Sequence, residues 1–317
     1  MTTFYFIFQQ TMFFMIPLLV VALGGMFSER SGVVNVALEG IMTIGAFASI
    51  LFISIFEDSM SGQPLLILAL VIAAMAGAAF SFFHAYASIN MKADQVISGT
   101  ALNMFAPALA IFIGRQLNGV QQIQFTNTFR IASVPILGDI PVIGDLFFKN
   151  TYITTYIGLA ILAISAIVLY KTRFGLRLRA CGEHPQAADS VGINVYKMRY
   201  CGVLISGVLG GIGGLIFVIP TSTNFNATVA GYGFLALAVL IFGQWRPVRI
   251  LLAALFFGLM KAIASSYSGI PFLNGLGISS TLYKMIPYIA TLVVLTFTSK
   301  HSQAPRASGT PYDKGAR

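Results

Sequence analysis

The sequence predicts an all-α integral membrane protein, a polytopic bundle of about eight to ten transmembrane helices, some of them broken. Three observations predict it. The 317 residues are 57% hydrophobic and 9% charged, with a mean hydropathy of +0.84. Soluble domains are roughly 45–50% apolar and about 25% charged, so a water-soluble fold of this length could not cover its surface. Most apolar runs are about 17–25 residues long, the length that crosses a roughly 30 Å hydrocarbon core as helix. Runs such as "LLILALVIAAMAGAAF" also lack the alternation over about ten residues that marks a membrane β-barrel.

Hydropathy places segments near 4–27, 36–56, 64–89, 95–114, 151–170, 200–219, 232–245, 248–268 and 284–299. The first has no Lys or Arg ahead of it and no small-residue cleavage site, so it reads as a membrane segment and not a removed signal peptide. The second, "GVVNVALEGIMTIGAF", opens with Asn35 and Glu39. Asn35 suits a helix cap and Glu39 a dipole-favoured first turn. A gating or partner contact is the alternative. In the third, His84 reads as a satisfied interface histidine. Asn103 and Phe105, just ahead of Pro107, fall inside the fourth, where an Asn serves either as glue between helices or as pathway lining.

The 115–150 connection contains "VPILGDIPVIGDLF", whose Pro and Gly residues argue for a structured surface loop and against a crossing. The 200–219 segment carries Gly207/Gly211 and Gly210/Gly214, small residues four apart that let helix backbones approach, or that let a helix bend. The 232–245 run is short, as in broken helices lining a pathway. Lys261 in the next segment is placed to snorkel toward an interface. Asn226 is a pathway candidate on polarity and position alone. Residues 1–299 form the transmembrane domain, and 300–317, polar and rich in Gly, Pro and Ser, read as a disordered tail.

Between the fifth and sixth segments, 171–199 concentrates charge: Lys171, Arg173, Arg177, Arg179, Glu183, Asp189, Lys197 and Arg199. Placing this loop in the cytoplasm and alternating outward puts fourteen of the nineteen Lys and Arg inside, leaving Arg115, Arg130, Lys149, Lys261 and Lys284. That asymmetry follows the positive-inside rule and makes the C-terminus cytoplasmic. It also explains the net charge of +9 without nucleic acid. Cys181 and Cys201 then lie near the reducing side, where a disulfide does not form. Within the loop, "HPQAADSVGI" reads as a short helix, with Pro185 in its first turn and Gly192 ending it. Such an element docks into a groove of a soluble partner, or anchors to lipid.

The chemistry that is missing narrows function. The sequence has no GxxxxGK[ST] loop, so the chain binds no ATP through a P-loop of its own. It has no intramembrane Asp/Glu/His relay, no Arg-rich voltage sensor and no TVGYG-type filter. No paired carboxylates, Ser/His/Asp set or metal-ligating cluster stands at usable spacing, so no catalytic residue, metal or cofactor is expected.

Three ordered blocks then carry a resemblance. "PLLVVALGGMFSERSGVVNVALEGIMTIGAF" (17–47), "GLRLRACGEHPQAADSVGI" (175–193) and "GYGFLALAVLIFGQWRPV" (231–248) resemble permease subunits of ABC importers in the branched-chain amino acid and simple sugar family, in a form nearest the nucleoside-type permeases. The resemblance covers roughly residues 12–299. It implies a bacterial inner-membrane subunit that forms the pathway for a small molecule with a second, different permease chain. Two cytoplasmic ATPases and an extracytoplasmic substrate-binding protein complete the importer. It assigns coupling to the ATPase to Glu183, Ala187, Ala188, Asp189 and Gly192, with His184 and Pro185 where Asn-Pro is commoner. A simple-sugar permease for ribose or galactose is the alternative within that family; an ATP-independent carrier or channel lies outside it.

Overall fold

Six consecutive residues of the first helix, Leu18 to Leu23, are fully buried. At roughly 3.6 residues per turn they face every direction, so this helix is surrounded by others. The computed structural model describes residues 2–135, 137–267 and 304–315, with scattered positions between 279 and 296. In chain order the helices are α1 (Thr2–Arg30), α2 (Leu38–Phe56), α3 (Gln63–Ile89), α4 (Gln95–Asn118), α5 (Ile153–Lys171), α6 (Arg173–Glu183), α7 (Pro185–Ser190), α8 (Val195–Thr221), α9 (Tyr232–Phe242) and α10 (Pro247–Ser266). Among the described residues, seven of these are long and apolar enough to cross a membrane: α1–α5, α8 and α10. The chain is an all-α, multi-pass membrane protein. Of the expected 284–299 segment, only scattered residues are described.

The helix ends are set locally. Asp94 accepts the Val96 and Ile97 amides at the start of α4, and Gly119 takes φ +70 at its end. Asn194 accepts the Lys197 amide at the start of α8. Pro64 and Pro247 lie at the first turns of α3 and α10, where a missing N–H costs nothing.

α1 and α8 form the interior pair, with α2 and α3 packed on α8 and α10 on α1. α4 and α5 lie outside, turning Ile97, Met104, Ile164 and Ile167 away from the core. Four of the six glycines of α8 serve as two seats. Gly207 and Gly211 lie on α3: a Cβ on Gly211 would overlap the Ala73 carbonyl oxygen. Gly210 and Gly214 lie on α2: a Cβ on Gly214 would overlap the Met42 carbonyl oxygen. Backbones this close gain dispersion and weak C–H···O contacts that lipid tails cannot offer.

The 119–152 connection does not cross. It folds as two small antiparallel pairings, β1 (Ile123–Gln124) with β4 (Asn224–Phe225) and β2 (Arg130–Ser133) with β3 (Lys149–Tyr152). One-turn helices at Leu137–Asp139 and Gly144–Phe148 lie between β2 and β3. Gln9 of α1 donates to the Asp145 carbonyl at 2.9 Å, fixing this cap over the end of the bundle where α1 begins. The other end carries Arg30, α6 and α7 and is called the basic end below.

Part of the polar tail, 304–315, is among the described residues. This segment lies along the basic end, where the Ala307 amide donates to the Gly182 carbonyl (2.8 Å) and the Gly309 amide to the Gly32 carbonyl (3.3 Å). Tyr312 is buried edge-on to Tyr196, and Asp313 pairs with Lys92 at 2.7 Å.

Candidate coupling and translocation site

Three stretches far apart in sequence meet at the basic end. The first is the turn between α1 and α2. Ser28 Oγ donates to the Val33 carbonyl (2.7 Å), Ser31 Oγ donates to the Ser28 carbonyl (2.6 Å), and Gly32 takes φ +100, which closes a tight knot. The second is α6 and α7. Thr172 Oγ1 accepts the Gly175 amide to start α6, and Gly182 lies against the Arg30 carbonyl. The third is the 243–246 turn, where Gln244 and Trp245 both have positive φ, +48 and +54.

Arg30 joins all three. Its Nη1 is 3.5 Å from Glu183 Oε1, and its Nη2 donates to the Trp245 carbonyl at 3.2 Å. Beside it the Trp245 indole N–H donates to buried Glu29 Oε2 at 2.6 Å. Glu29 is buried there, so this hydrogen bond is costly to leave unmade. Burial within α6 pushes the Cys181 thiol up to about 11.

α7 has the expected form. Pro185 is its first residue, and Gly192 at φ +83 ends it. The Ile193 amide donates to the Ala188 carbonyl and the Gly192 amide to the Asp189 carbonyl, the paired 6→1 and 5→2 bonds of a Schellman end. The seven loop candidates divide. Pro185 and Ala188 pack inward; His184, Ala187 and Gly192 are exposed; Glu183 and Asp189 are half-buried, the latter 3.8 Å from Lys314 Nζ. Val191, which the sequence reading passed over, is 75% exposed at the tip.

The intramembrane candidates lie deeper. Asn35 is buried and donates to Ser206 Oγ at 2.9 Å. Ser206 is about 16 Å along α8 from its first residue. The 31–37 stretch therefore dips well into the bundle before α2 begins. Glu39, in the first turn of α2, does not only serve its own helix. Its two oxygens accept the Gly231 amide (2.8 Å) and the Gly233 amide (2.6 Å), capping the start of α9, 192 residues away. α9 has only 11 residues and runs from this buried start to the basic end, so it is a half-helix with its positive dipole end on Glu39. Asn103 of α4 ties into the same place: Oδ1 accepts the Gly40 amide and Nδ2 donates to the Val36 carbonyl, both at 2.8 Å.

Two candidates are not part of that cluster. Phe105 is 51% exposed on α4 and stacks on Phe80, and Asn226 is exposed in the loop that descends to α9. His84 is buried with both ring nitrogens bonded, to the Val34 carbonyl and Ser98 Oγ. Lys261 places its ammonium 5.6 Å from the Tyr232 ring centroid. Cys181 and Cys201 are free thiols. Among the described residues no three His, Cys, Asp or Glu are grouped to hold a metal.

Sequence reasoning missed Glu29, Arg30 and Trp245. The signals were present: an adjacent acid and base at the end of an apolar helix, and the single Trp of the chain.

The family model described as "Branched-chain amino acid transport system / permease component" matches residues 7–295. The chain belongs to this permease family. The permease is 46% identical over 309 residues to the guanosine ABC transporter permease protein NupQ of Bacillus subtilis (strain 168), covering 97% of this chain and 96% of that one. It is 45% identical over 299 residues to the nucleoside ABC transporter permease protein NupC of Lactococcus lactis subsp. cremoris (strain MG1363), covering 94% and 93%. A more distant match, the guanosine ABC transporter permease protein NupP of the same Bacillus strain, is 25% identical over 266 residues, 80% of this permease and 73% of NupP. No solved structure matches. Permeases of this family are transport components, not enzymes.

Proposed function

We propose that this permease is one half of the membrane pathway of an ATP-driven nucleoside importer in a bacterial inner membrane. The observation that carries the reading is the joint at the basic end, where α6–α7, α1 and the α9–α10 turn are linked through Arg30. In this reading the basic end and the 304–315 strap are cytoplasmic. The exposed face of α7, with His184, Ala187 and Val191, meets a cytoplasmic ATPase. Closure of two such ATPases pushes on α7, and Arg30 passes the displacement to α1 and, through Trp245, to the half-helix α9. The start of α9, with Glu39, Asn35 and Asn103, lies where the pathway opens and closes. Half-helix ends at mid-depth are common gating and binding elements in transporters because their unpaired amides are already prepared for a polar group.

The partners follow from the same reading: two ATPase subunits, an extracytoplasmic binding protein that selects the substrate, and a second permease. That NupQ and NupP carry the same guanosine transporter label and match this chain at very different identity supports a second, dissimilar permease chain.

The test is uptake of labelled guanosine and of labelled ribose by cells expressing this chain with its neighbouring transporter genes, intact and with residues 183–192 replaced by Gly/Ser. The expected result is nucleoside uptake that needs the ATPase gene and is lost with the replacement. Nucleoside uptake persisting without the ATPase would mean a carrier. Ribose uptake without nucleoside uptake would mean a sugar permease.

A further inference from the structure

Two cavities meet at Arg249. The first, of about 720 Å³, opens at the basic end between α1, α5, α6 and the start of α10 and is lined by Arg30, Arg179, Arg246, Arg249 and Arg306 against a single carboxylate, Glu183. That carboxylate is already engaged, facing Arg30 Nη1 and accepting the Arg306 amide at 3.4 Å. Arg179, Arg246, Arg249 and Arg306 have no carboxylate within ion-pair distance among the described residues. Arg179 lies over the Tyr170 ring and Arg249 bonds Gln244, which orients both forks without neutralising them.

The second cavity, of about 390 Å³, continues from Arg249 along the outer face of α9 and α10, between Phe242, Leu252 and Phe256. Leu252 is exposed and Phe256 partly so. The pair therefore has a strongly cationic mouth and an apolar groove beside it. The mouth lies at the ends of the spanning helices: Arg30 is in the last turn of α1, Arg246 adjoins the first turn of α10 and Arg249 is within it. That is the depth at which a bilayer holds its phosphates.

We propose that this pair of cavities binds an anionic phospholipid, its phosphate among Arg179, Arg246, Arg249 and Arg306 and one acyl chain in the α9–α10 groove. Guanidinium forks match phosphate oxygens two at a time, and four uncompensated charges favour an anionic headgroup over a zwitterionic one. The groove is what selects a lipid over a soluble phosphate, since a free anion would leave Phe242, Leu252 and Phe256 uncovered. Because Arg30 and Arg179 belong to the joint between α1 and α6, a bound lipid wedges that joint. The site does not depend on whether an ATPase docks on α7.

The test is native mass spectrometry of the full chain in mild detergent with phosphatidylglycerol, phosphatidylcholine of the same acyl chains, and glycerol 3-phosphate as separate probes. Retention of phosphatidylglycerol should exceed that of phosphatidylcholine by about tenfold or more, and the preference should fall by roughly tenfold in R246Q/R249Q. Both side chains are exposed, so the variant keeps its fold, which circular dichroism and size exclusion verify. R306Q, in the strap, should weaken binding by a smaller factor, and R130Q at the opposite end should leave it unchanged. L252Q should weaken phosphatidylglycerol while leaving the headgroup preference intact. Equal retention of the two lipids, or R130Q acting like R246Q/R249Q, would overturn the proposal. So would displacement of lipid by equimolar glycerol 3-phosphate, which would make the occupant a soluble phosphate.

Discussion

Cys181 and Cys201 lie near the same end of the bundle, yet their surroundings separate them. Cys181 is fully buried, and burial lifts its thiol to about 11 from a usual value of 9.0, whereas Cys201 is half-exposed. At pH 8 the raised value leaves Cys181 only about one part in a thousand thiolate, so burial makes it a poor nucleophile as well as an inaccessible one. A maleimide at pH 7.5 should label one thiol per chain, and C201A should reduce labelling to background. The sign with pH is set by the raised value: the protonated thiol suits the fold below pH 9, and stability falls as pH rises through 9 toward 11. Labelling of Cys181 should climb over that window; fast labelling at pH 7.5 would contradict the buried placement. Glu39 shows a different limit. Its place in the first turn of α2 was legible from "NVALEG", but nothing near it in sequence points to Gly231 and Gly233, whose amides it accepts.

At the scale of elements, glycine has two separate uses. Gly211 needs its missing side chain because α3 is in the way, while Gly192 needs its backbone freedom because α7 ends there at φ +83 with open space around it. Alanine at Gly192 should cost about 1–2 kcal/mol, the left-handed penalty, and leave the bundle intact. Valine at Gly211 cannot be absorbed by a rotamer change, since the obstacle is the Ala73 backbone; overpacking of this kind costs at least about 1–3 kcal/mol and separates α3 from α8. Thermal unfolding in detergent with limited proteolysis should show a lower midpoint for both, with new cleavage in α3 and α8 for G211V only. Equal effects of both substitutions would rule out this division. The i,i+4 spacing offered packing or bending for these glycines; which helix each pair seats was not in the spacing.

Across the whole molecule, Arg199 is the clearest case of one part depending on a distant one. It is 1% exposed, its Nη1 donates to the Thr310 carbonyl at 2.9 Å, and its guanidinium lies 6.0 Å from the Tyr312 ring centroid. The strap therefore covers a buried charge that no carboxylate neutralises among the described residues. Outside the membrane, Asp313 is lowered and Lys92 raised by their mutual hydrogen bond, so protonating Asp313 in acid loosens one fastening of the strap. Removing residues 304–317 should lower the thermal midpoint of the detergent-solubilised chain. R199M should destabilise the full chain by about 1.5–3 kcal/mol, the usual scale for a hydrogen bond to a charged group. In the truncated chain R199M should be close to neutral, since the bond is already gone. Additive losses would show that Arg199 and the strap act separately.

Composition, run lengths and the distribution of Lys and Arg determined by themselves that this is a helical membrane bundle with a charged loop at one end. These properties follow from the cost of polar groups in hydrocarbon, which acts residue by residue and needs no knowledge of neighbours. The short 232–245 run likewise marked a half-length helix. Tertiary structure alone decided that Glu39 caps α9, that Arg30 joins α1 to α6 and to the Trp245 turn, and that 304–315 lies over Arg199. Each of these is a bond between groups far apart in the chain, made when helices pack and leave particular amides, carboxylates and guanidiniums without water. Local pattern records which groups have a need; only the packed bundle brings each one to its partner.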